Sequence, residues 1–259
     1  MGGQHGHGTG WRGAVVAGMA LVAGADILGA CGSSSSSSTT TTGASGTTAT
    51  TGSGSGDAAS KLDALSGNVK AAQKSSFQAA YTSTGGGSTS TVTLAQSPPK
   101  QLFSSTDDSG STTSLINTGT TTYSCTTDSG GTATCTSIGG GLAGSALTSL
   151  INVYNGSAAL TVLKGWQSTL AAHIAGASLT FTDETIAGQP SNCAHWSHAG
   201  DGATYCVTSS GVLAKVESSS SSGGSSFTLT SYSKSPPASA FAVPQGATVV
   251  TIPSGVSVP

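Results

Sequence analysis

The feature that most constrains the fold is a succession of short, threonine-rich segments separated by Gly, Pro, Asp or Asn. Threonine suits strands, and the alternation in "TVTL" at 91–94 is typical of a half-buried strand. The pattern therefore predicts two strand meanders. The first comprises 77–84, 88–96, 100–106, 112–118, 121–127 and 132–138, and the second comprises 178–186, 204–208, 212–218 and 226–233.

Helical periodicity marks the start of the folded region and the space between the meanders. The segment 57–76 repeats apolar residues at helical spacing, and Asp57 is placed to cap its start. Two more stripes follow the first meander. Their members are Leu147, Leu150, Ile151 and Tyr154, then Trp166, Leu170, His173 and Ile174. Because a flat sheet would expose one apolar face, we expect the strands to close into a barrel or to curl around these helices.

The amino terminus has the layout of an export signal. Arg12 precedes the apolar run "AVVAGMALVAGA", which is too short to span a bilayer, and Asp26 interrupts its continuation. "LGAC" at 28–31 resembles the bacterial lipobox, which implies a signal peptide over 1–30 and a lipid on the sulfur of Cys31. The alternative is an ordinary secretory signal with an incidental cysteine. The expected location is the cell membrane, lipid-anchored on the extracytoplasmic side.

A low-complexity segment at 31–56 separates this signal from the folded region. It consists almost entirely of Ser, Thr and Gly, so it has nothing to bury and is expected to be a disordered tether. A flexible coil of this length spans about 25–30 Å on average. We place the domain at 57–247 and expect 248–259 to be a loosely held tail.

The odd number of cysteines, five, is explained if Cys31 is acylated. The remaining four allow three connectivities, and turn signals midway between local pairs favour Cys125–Cys135 and Cys193–Cys206. Export to an oxidising compartment lets such bonds persist. A metal site is the competing interpretation of 193–206, which contains His195, His198 and Asp201. No established zinc spacing matches, and a disulfide removes both thiolates, so we predict no metal.

Charge and motifs argue against nucleic-acid binding and catalysis. The net charge is −2 with only eight Lys and Arg, so the clustered cations that bind phosphates are missing. The carboxylate pairs Asp107–Asp108 and Asp183–Glu184 would point to opposite faces of a strand, whereas acid–base catalysis needs convergent groups. His173 lies on a helical stripe, where a packed histidine is commoner than a catalyst. We predict a non-enzyme without a cofactor.

The layout resembles a known group, the lipoprotein-carrier (LolA-like) fold and its actinobacterial lipoprotein relatives of the LppX and LprG type. The residues that carry the resemblance are the lipobox, the tether, the helix leading into "FQAAYTS", and the late "YCVTSSGVLAKVES" with "FTLTSYSKSPPASAFAVPQGA". It covers roughly residues 57–247. It implies an α+β fold: an antiparallel half-barrel with an N-terminal amphipathic helix and a helical insertion covering the sheet. The hairpin at 125–135 departs from the pattern.

The same resemblance implies that the concave face holds acyl chains. Ligand-binding candidates on that face are Leu94, Leu115, Leu147, Ile151, Trp166 and Phe181. Ordinary packing in a solid core is the alternative fate of these residues. Two functions follow: a membrane-anchored envelope lipoprotein that binds or transfers an acylated lipid or another hydrophobic ligand, or a tethered, solid-cored protein-interaction module. A hydrolase with an unrecognised site is a third, and the oligomeric state stays open.

Overall fold

The computed structural model describes residues 55–138, 147–152, 157, 160–161, 163–165, 176–221 and 223–251, with side chains from residue 60 onward. The chain divides into two units, Met1–Thr47 and Thr48–Pro259, and all the described residues belong to the second. The predictions for the signal peptide, Cys31, the helical residues Trp166–Ile174 and nearly all of the tether lie outside the described residues. In the described part, no helix combines the length and hydropathy that a membrane crossing requires.

One helix, twelve strands and a short 3-10 turn make up most of the described structure. Helix α1 spans Ser55–Ala72, and helical backbone recurs at 147–152, 157, 160–161 and 163–165. The 3-10 turn is Ala238–Phe241. The strands are β1 Phe77–Gly85, β2 Ser88–Ser97, β3 Lys100–Thr106, β4 Thr112–Asn117, β5 Thr122–Thr127, β6 Ala133–Ile138, β7 Ser178–Ile186, β8 Gln189–His198, β9 Asp201–Thr208, β10 Leu213–Ser220, β11 Gly223–Ser233 and β12 Thr248–Thr251.

All twelve strands belong to one open sheet in the order β12-β6-β5-β4-β3-β2-β1-β11-β10-β9-β8-β7. Every neighbouring pair is antiparallel except β12 and β6, which are parallel. The two meanders join where β1 pairs with β11, with Tyr81 opposite Leu229. Since β7 and β12 remain as edges, the sheet does not close. The predicted α+β class is confirmed, with an open antiparallel sheet of the half-barrel type and helices on one face.

Two strands differ from the sequence-based prediction. β8 is absent from the predicted strands, although the predicted hairpin near residue 200 places Cys193 opposite Cys206, as the structure does. Pro190 and Asn192 interrupt the strand pattern, and the strand is buried on both faces at Cys193 and Ala194. β12 occupies the first four residues of the segment that was expected to be loose. Its partner β6 is more than a hundred residues away in the chain, so no local pattern reveals the pairing.

The sheet has a helix face and an outer face. On the helix face, Tyr81, Leu94 and Phe227 pack among apolar side chains that include the helical residues Leu147 and Ile151. Both disulfides lie on the outer face, with the pairing that the sequence predicts. The Cys125–Cys135 bond packs against Phe241 of the 3-10 turn, and the Cys193–Cys206 bond packs against Ala214.

Candidate functional site

The helix face carries two apolar clusters. Cluster A lies where β1, β2 and β11 meet helical residues 147–151; its buried members are Ala72, Phe77, Ala79, Tyr81, Val92, Leu94, Leu147, Ile151, Val212, Leu213, Phe227 and Leu229. Cluster B lies between α1, helical residues 160–163 and strands β8 and β9; its buried members are Leu62, Leu65, Val69, Leu160, Leu163, Ala194 and Val207. The helical residues that follow the first meander therefore contact both clusters.

Cluster A brings together four of the predicted ligand-binding residues. Leu94 and Leu147 have no exposed surface, and Ile151 is 2% exposed. Leu115 on β4 is half-buried and packs against the same cluster. Phe181 on β7 belongs instead to the surroundings of cluster B, where the Lys61 ammonium lies 5.9 Å from the centre of its ring. Trp166 lies outside the described residues.

Tyr205 on β9 packs against both clusters and was missed by the sequence analysis. It is opposite Val216 of β10 and Ala194 of β8, so its ring lies on the helix face. Desolvation by burial raises the pKa of the phenol above its usual value. The residue is therefore neutral at physiological pH and places one polar group between two apolar clusters. The sequence does contain one indication of this orientation. Tyr205 precedes Cys206 in the strand, and neighbouring strand residues point to opposite faces, so a cysteine on the outer face places Tyr205 on the helix face.

Half-buried side chains pack against the two buried clusters. We call these the rim residues: Phe103, Leu115, Leu179, Phe181, Tyr205 and Val216. They come from strands on both sides of the sheet centre. The helix face thus carries two buried apolar clusters with half-buried side chains packed against them.

A polar cleft of about 400 Å³ opens beside the second half of α1. Its lining residues are Asn68, Ala71, Ser75, Ser76, Ser209, Ser210, Tyr232 and Lys234. Every lining residue except Ala71 carries a hydroxyl, amide or ammonium group, and none is a large aliphatic residue of the kind expected in an acyl-chain pocket. None of the predicted ligand-binding residues lines it.

The residues weighed as a metal site are divided between the two faces. The ring of His198 lies 6.4 Å from that of Trp196, on the helix face, whereas His195 lies on the outer face with Cys193. Asp201 is opposite His198 at the hairpin end. In the oxidised protein both sulfur atoms are occupied by the Cys193–Cys206 bond.

One of the carboxylates weighed for catalysis, Asp107, has a structural role in a turn. Asp107 closes the β3–β4 turn, where its Oδ1 accepts hydrogen bonds from the hydroxyl of Ser109 at 2.6 Å and the N–H of Ser111 at 3.0 Å. These bonds, chiefly that of the Ser109 hydroxyl, lower the pKa of Asp107. Asp128 accepts the N–H of Thr132 in the same way between β5 and β6. Such aspartates are turn residues.

Comparison with known proteins gives likenesses of fold. No protein-family model and no curated protein matches the chain. Similar solved structures include Pseudomonas aeruginosa MucB in its complex with MucA, at 16% identity over 68% of this chain and 56% of that chain, with a TM-score of 0.38. LprF from Mycobacterium bovis is 10% identical over 67% of this chain and 93% of that chain, with a TM-score of 0.33.

An uncharacterized conserved protein from Thermus thermophilus is similar at 8% identity, over 74% of this chain and 99% of that chain, with a TM-score of 0.41. In three MucB structures the match spans 56%, 60% and 63% of the MucB chain. The similarity to all of these proteins is one of general sheet architecture. The function of this chain therefore has to be inferred from its own residues.

Proposed function

We propose that this protein is a lipid-anchored component of the cell envelope that binds an acylated lipid or another hydrophobic ligand on the helix face of its sheet. The observation that carries the proposal is that the half-buried rim residues pack against two buried apolar clusters on one face of the sheet. Each methylene group that leaves water for such a surface contributes about 0.8 kcal/mol. A long acyl chain along the rim would therefore gain substantial binding free energy.

The helical residues 147–152 are the element that we expect to move when a ligand enters. They contact the sheet through Leu147 and Ile151, next to the rim residue Leu115. The Thr148 hydroxyl also donates a hydrogen bond of 3.3 Å to Oε1 of Gln101, at an exposed position. Because apolar packing is not directional, acyl carbons could replace the contacts of Leu147 and Ile151 without leaving a polar group unsatisfied.

The proposed attachment to the membrane is based on the sequence. The lipobox at 28–31 would attach the chain to the bilayer at Cys31, and the Ser/Thr-rich tether would let the domain move about 25–30 Å from the membrane. This distance would allow the helix face to reach lipids of the same membrane. Binding and transfer are both compatible with such an arrangement.

Native mass spectrometry of the Cys31→Ala chain, which has no acyl group on sulfur, tests ligand binding separately from anchoring. We expect adducts of lipid mass when the chain is purified from a lipid-producing bacterium. Leu115→Arg and Phe181→Arg place a charge on the half-buried rim and should remove the adducts. Val249→Arg is the matched control, because Val249 lies on β12 of the same sheet with 49% of its surface exposed.

A solid-cored interaction module is the second candidate, and one observation favours it. Leu94 and Leu147 are fully buried in cluster A, as expected for an ordinary core. If this candidate is correct, the Cys31→Ala chain will have its apoprotein mass in every preparation. Leu115→Arg would then also be found without lipid adducts, and the substitution would alter only the binding of a protein partner.

A further inference from the structure

Metal-ligating side chains meet on the outer face, where the second disulfide joins β8 to β9. Cys193 and Cys206 are directly opposed in these neighbouring strands, and both are fully buried. Glu184 of the edge strand β7 reaches the same place. One of its carboxylate oxygens and the two sulfur atoms all lie within 4.8 Å of one another. The site is empty.

His195 brings a fourth potential ligand to this site. It follows Cys193 by two residues in β8 and therefore lies on the same face. Its Nε2 is 3.7 Å from Oε1 of Glu184. The hydroxyl of Thr204 orients the ring, since its Oγ1 is 3.1 Å from Nδ1. Nε2 is 2.7 Å from Oγ1 of Thr182, a contact that a metal ion on Nε2 would replace. Hydrogen bonds that fix the ring are a general feature of metal-ligating histidines.

A tetrahedral zinc site sets the distances that these atoms would have to reach. The atoms within 4.8 Å of one another belong to Glu184, Cys193 and Cys206 and not to His195, so the imidazole would have to move towards the sulfur atoms. Zinc bonds of about 2.3 Å to sulfur and about 2.0–2.2 Å to nitrogen or oxygen put neighbouring ligand atoms roughly 3.3–3.8 Å apart. The separation between Glu184 and His195 already falls in this range. Breaking the disulfide would free the two sulfur atoms to separate, and the carboxylate would need to approach them by about 1 Å or less.

The first disulfide shows that this arrangement is specific to one hairpin. Cys125 and Cys135 also lie opposite each other on the outer face, and the Cα–Cα distance is 4.0 Å in both disulfides. Within the described part of the chain, however, the potential metal ligands that lie close together are Glu184, Cys193 and Cys206, and neither Cys125 nor Cys135 is among them. The first pair packs against Phe241 instead.

We propose that the Cys193–Cys206 disulfide is the oxidised form of a zinc site. A dithiol reductant supplies two electrons and two protons, breaks the S–S bond, and leaves as its own disulfide. Zn²⁺ then displaces the two thiol protons and is bound by both thiolates, the Glu184 carboxylate and Nε2 of His195. The metal replaces the disulfide as the link between β8 and β9 and ties the edge strand β7 to them. Lipid binding on the helix face is not required.

Cobalt titration of two matched full-length chains tests this site. The first carries Cys31→Ser, Cys125→Ser and Cys135→Ser and keeps only the second cysteine pair; the second carries Cys31→Ser, Cys193→Ser and Cys206→Ser. Each is reduced with a phosphine, which is then removed without air. We expect the first chain to bind one Co²⁺ with a thiolate charge-transfer band and the visible bands of a tetrahedral site, both lost on adding Zn²⁺. The oxidised first chain and the reduced second chain should not show these bands.

Substitution of Glu184 then separates the proposed site from simple binding by two thiols. Glu184→Gln should weaken the Co²⁺ affinity of the first chain by about tenfold or more, because loss of a ligand is at least as severe as loss of an outer-shell partner. Unchanged affinity in this variant would overturn the proposal. Equal bands in both reduced chains would also overturn the proposal, because this is the result expected if reduction unfolds the protein and exposes thiols. The absence of bands from both chains would overturn it as well.

Discussion

The side-chain amide of Gln96 fastens the end of helix α1 to the sheet by donating a hydrogen bond of 2.8 Å to the carbonyl oxygen of Ala72. The same nitrogen is 2.6 Å from the carbonyl oxygen of Ser75. Gln96 is 2% exposed and lies on the helix face of β2, two residues after Leu94. The Ala72 carbonyl also accepts hydrogen bonds from the N–H of Ser75 at 3.1 Å and from its hydroxyl at 3.0 Å. Gln96 therefore adds the hydrogen bonds that connect the end of α1 to the sheet.

Gln96→Met should therefore lower the free energy of unfolding by about 0.5–1.5 kcal/mol, the net contribution of a typical hydrogen bond, although it keeps the side-chain volume and adds hydrophobicity. Urea denaturation followed by circular dichroism measures the change. Gln73→Met is the control, because this residue is exposed at the same helix end and its substitution should change stability by less than about 0.5 kcal/mol. Equal stability of the two variants would mean that Gln96 does not hold α1.

The turn between β9 and β10 provides a second attachment for α1. Gly211 has a φ of +80°, and a Cβ atom at this position would lie 2.0 Å from the carbonyl oxygen of Asn68 in the helix. Gly211→Ala combines left-handed strain of about 1–2 kcal/mol with overpacking of about 1–3 kcal/mol. We expect a correspondingly large fall in the melting temperature.

Gly188→Ala separates these two contributions. Gly188 also has a positive φ, +72°, but a Cβ atom added there would have no neighbouring atom within 4 Å. This variant should therefore be destabilised only by the left-handed strain, which costs about 1–2 kcal/mol. If both alanine variants melt at the same temperature, the close contact between the turn and α1 does not contribute to stability.

The sequence predicts most of the strands because their pattern is local, and it misses what depends on distant partners. Alternation and turn residues place β3 at 100–106 and β7 at 178–186 with the boundaries that the structure has. Gln96 follows Val92 and Leu94 on the same face of β2, yet nothing in that pattern indicates that a helix end lies above it. The role of Gly211 is hidden for the same reason, since its neighbour Asn68 belongs to another element.

The sequence predicts that several of the candidate ligand-binding residues come together, and their role in binding stays a prediction. Leu94, Leu115, Leu147 and Ile151 come together because apolar residues at strand and helix spacing share one core. Whether such residues are sealed or lie on a partly open rim depends on how far the helices cover the sheet, and periodicity does not determine this. Tyr205 was overlooked because a tyrosine in a strand is common, and its contact with both clusters arises only in the assembled sheet.

Tyr205 should make the protein less stable at alkaline pH. Burial raises the pKa of its phenol above the value of 10.0 that it has in the unfolded chain. As pH rises past 10.0, the unfolded chain loses the proton first, so the free energy of unfolding falls with pH from there until the folded-state pKa is reached. Below that range the contribution of Tyr205 is constant.

Tyr205→Phe should flatten this decline, which urea denaturation between about pH 8 and pH 11 would measure. Phe103→Leu serves as the control, because it removes part of another half-buried rim residue without changing any titratable group. The free energy of unfolding of the Phe103→Leu variant should be lower than that of the wild type by the same amount at every pH. A Tyr205→Phe profile parallel to the wild type would show that the phenol is not protected by the fold.

Cys31 should be the only attachment point for lipid, and Cys31→Ala should release the protein from the membrane. A single acyl chain gives only marginal, reversible binding, whereas the several chains that a lipobox cysteine receives give stable anchoring. Growth with an alkyne fatty acid followed by fluorescent tagging should label the wild-type chain in the membrane fraction and leave Cys31→Ala unlabelled. Ser34→Ala, three residues further along the tether, should be labelled like the wild type. Recovery of the processed wild-type chain from the culture medium with an unmodified thiol would contradict the anchor and remove the proximity to lipids on which the binding proposal relies.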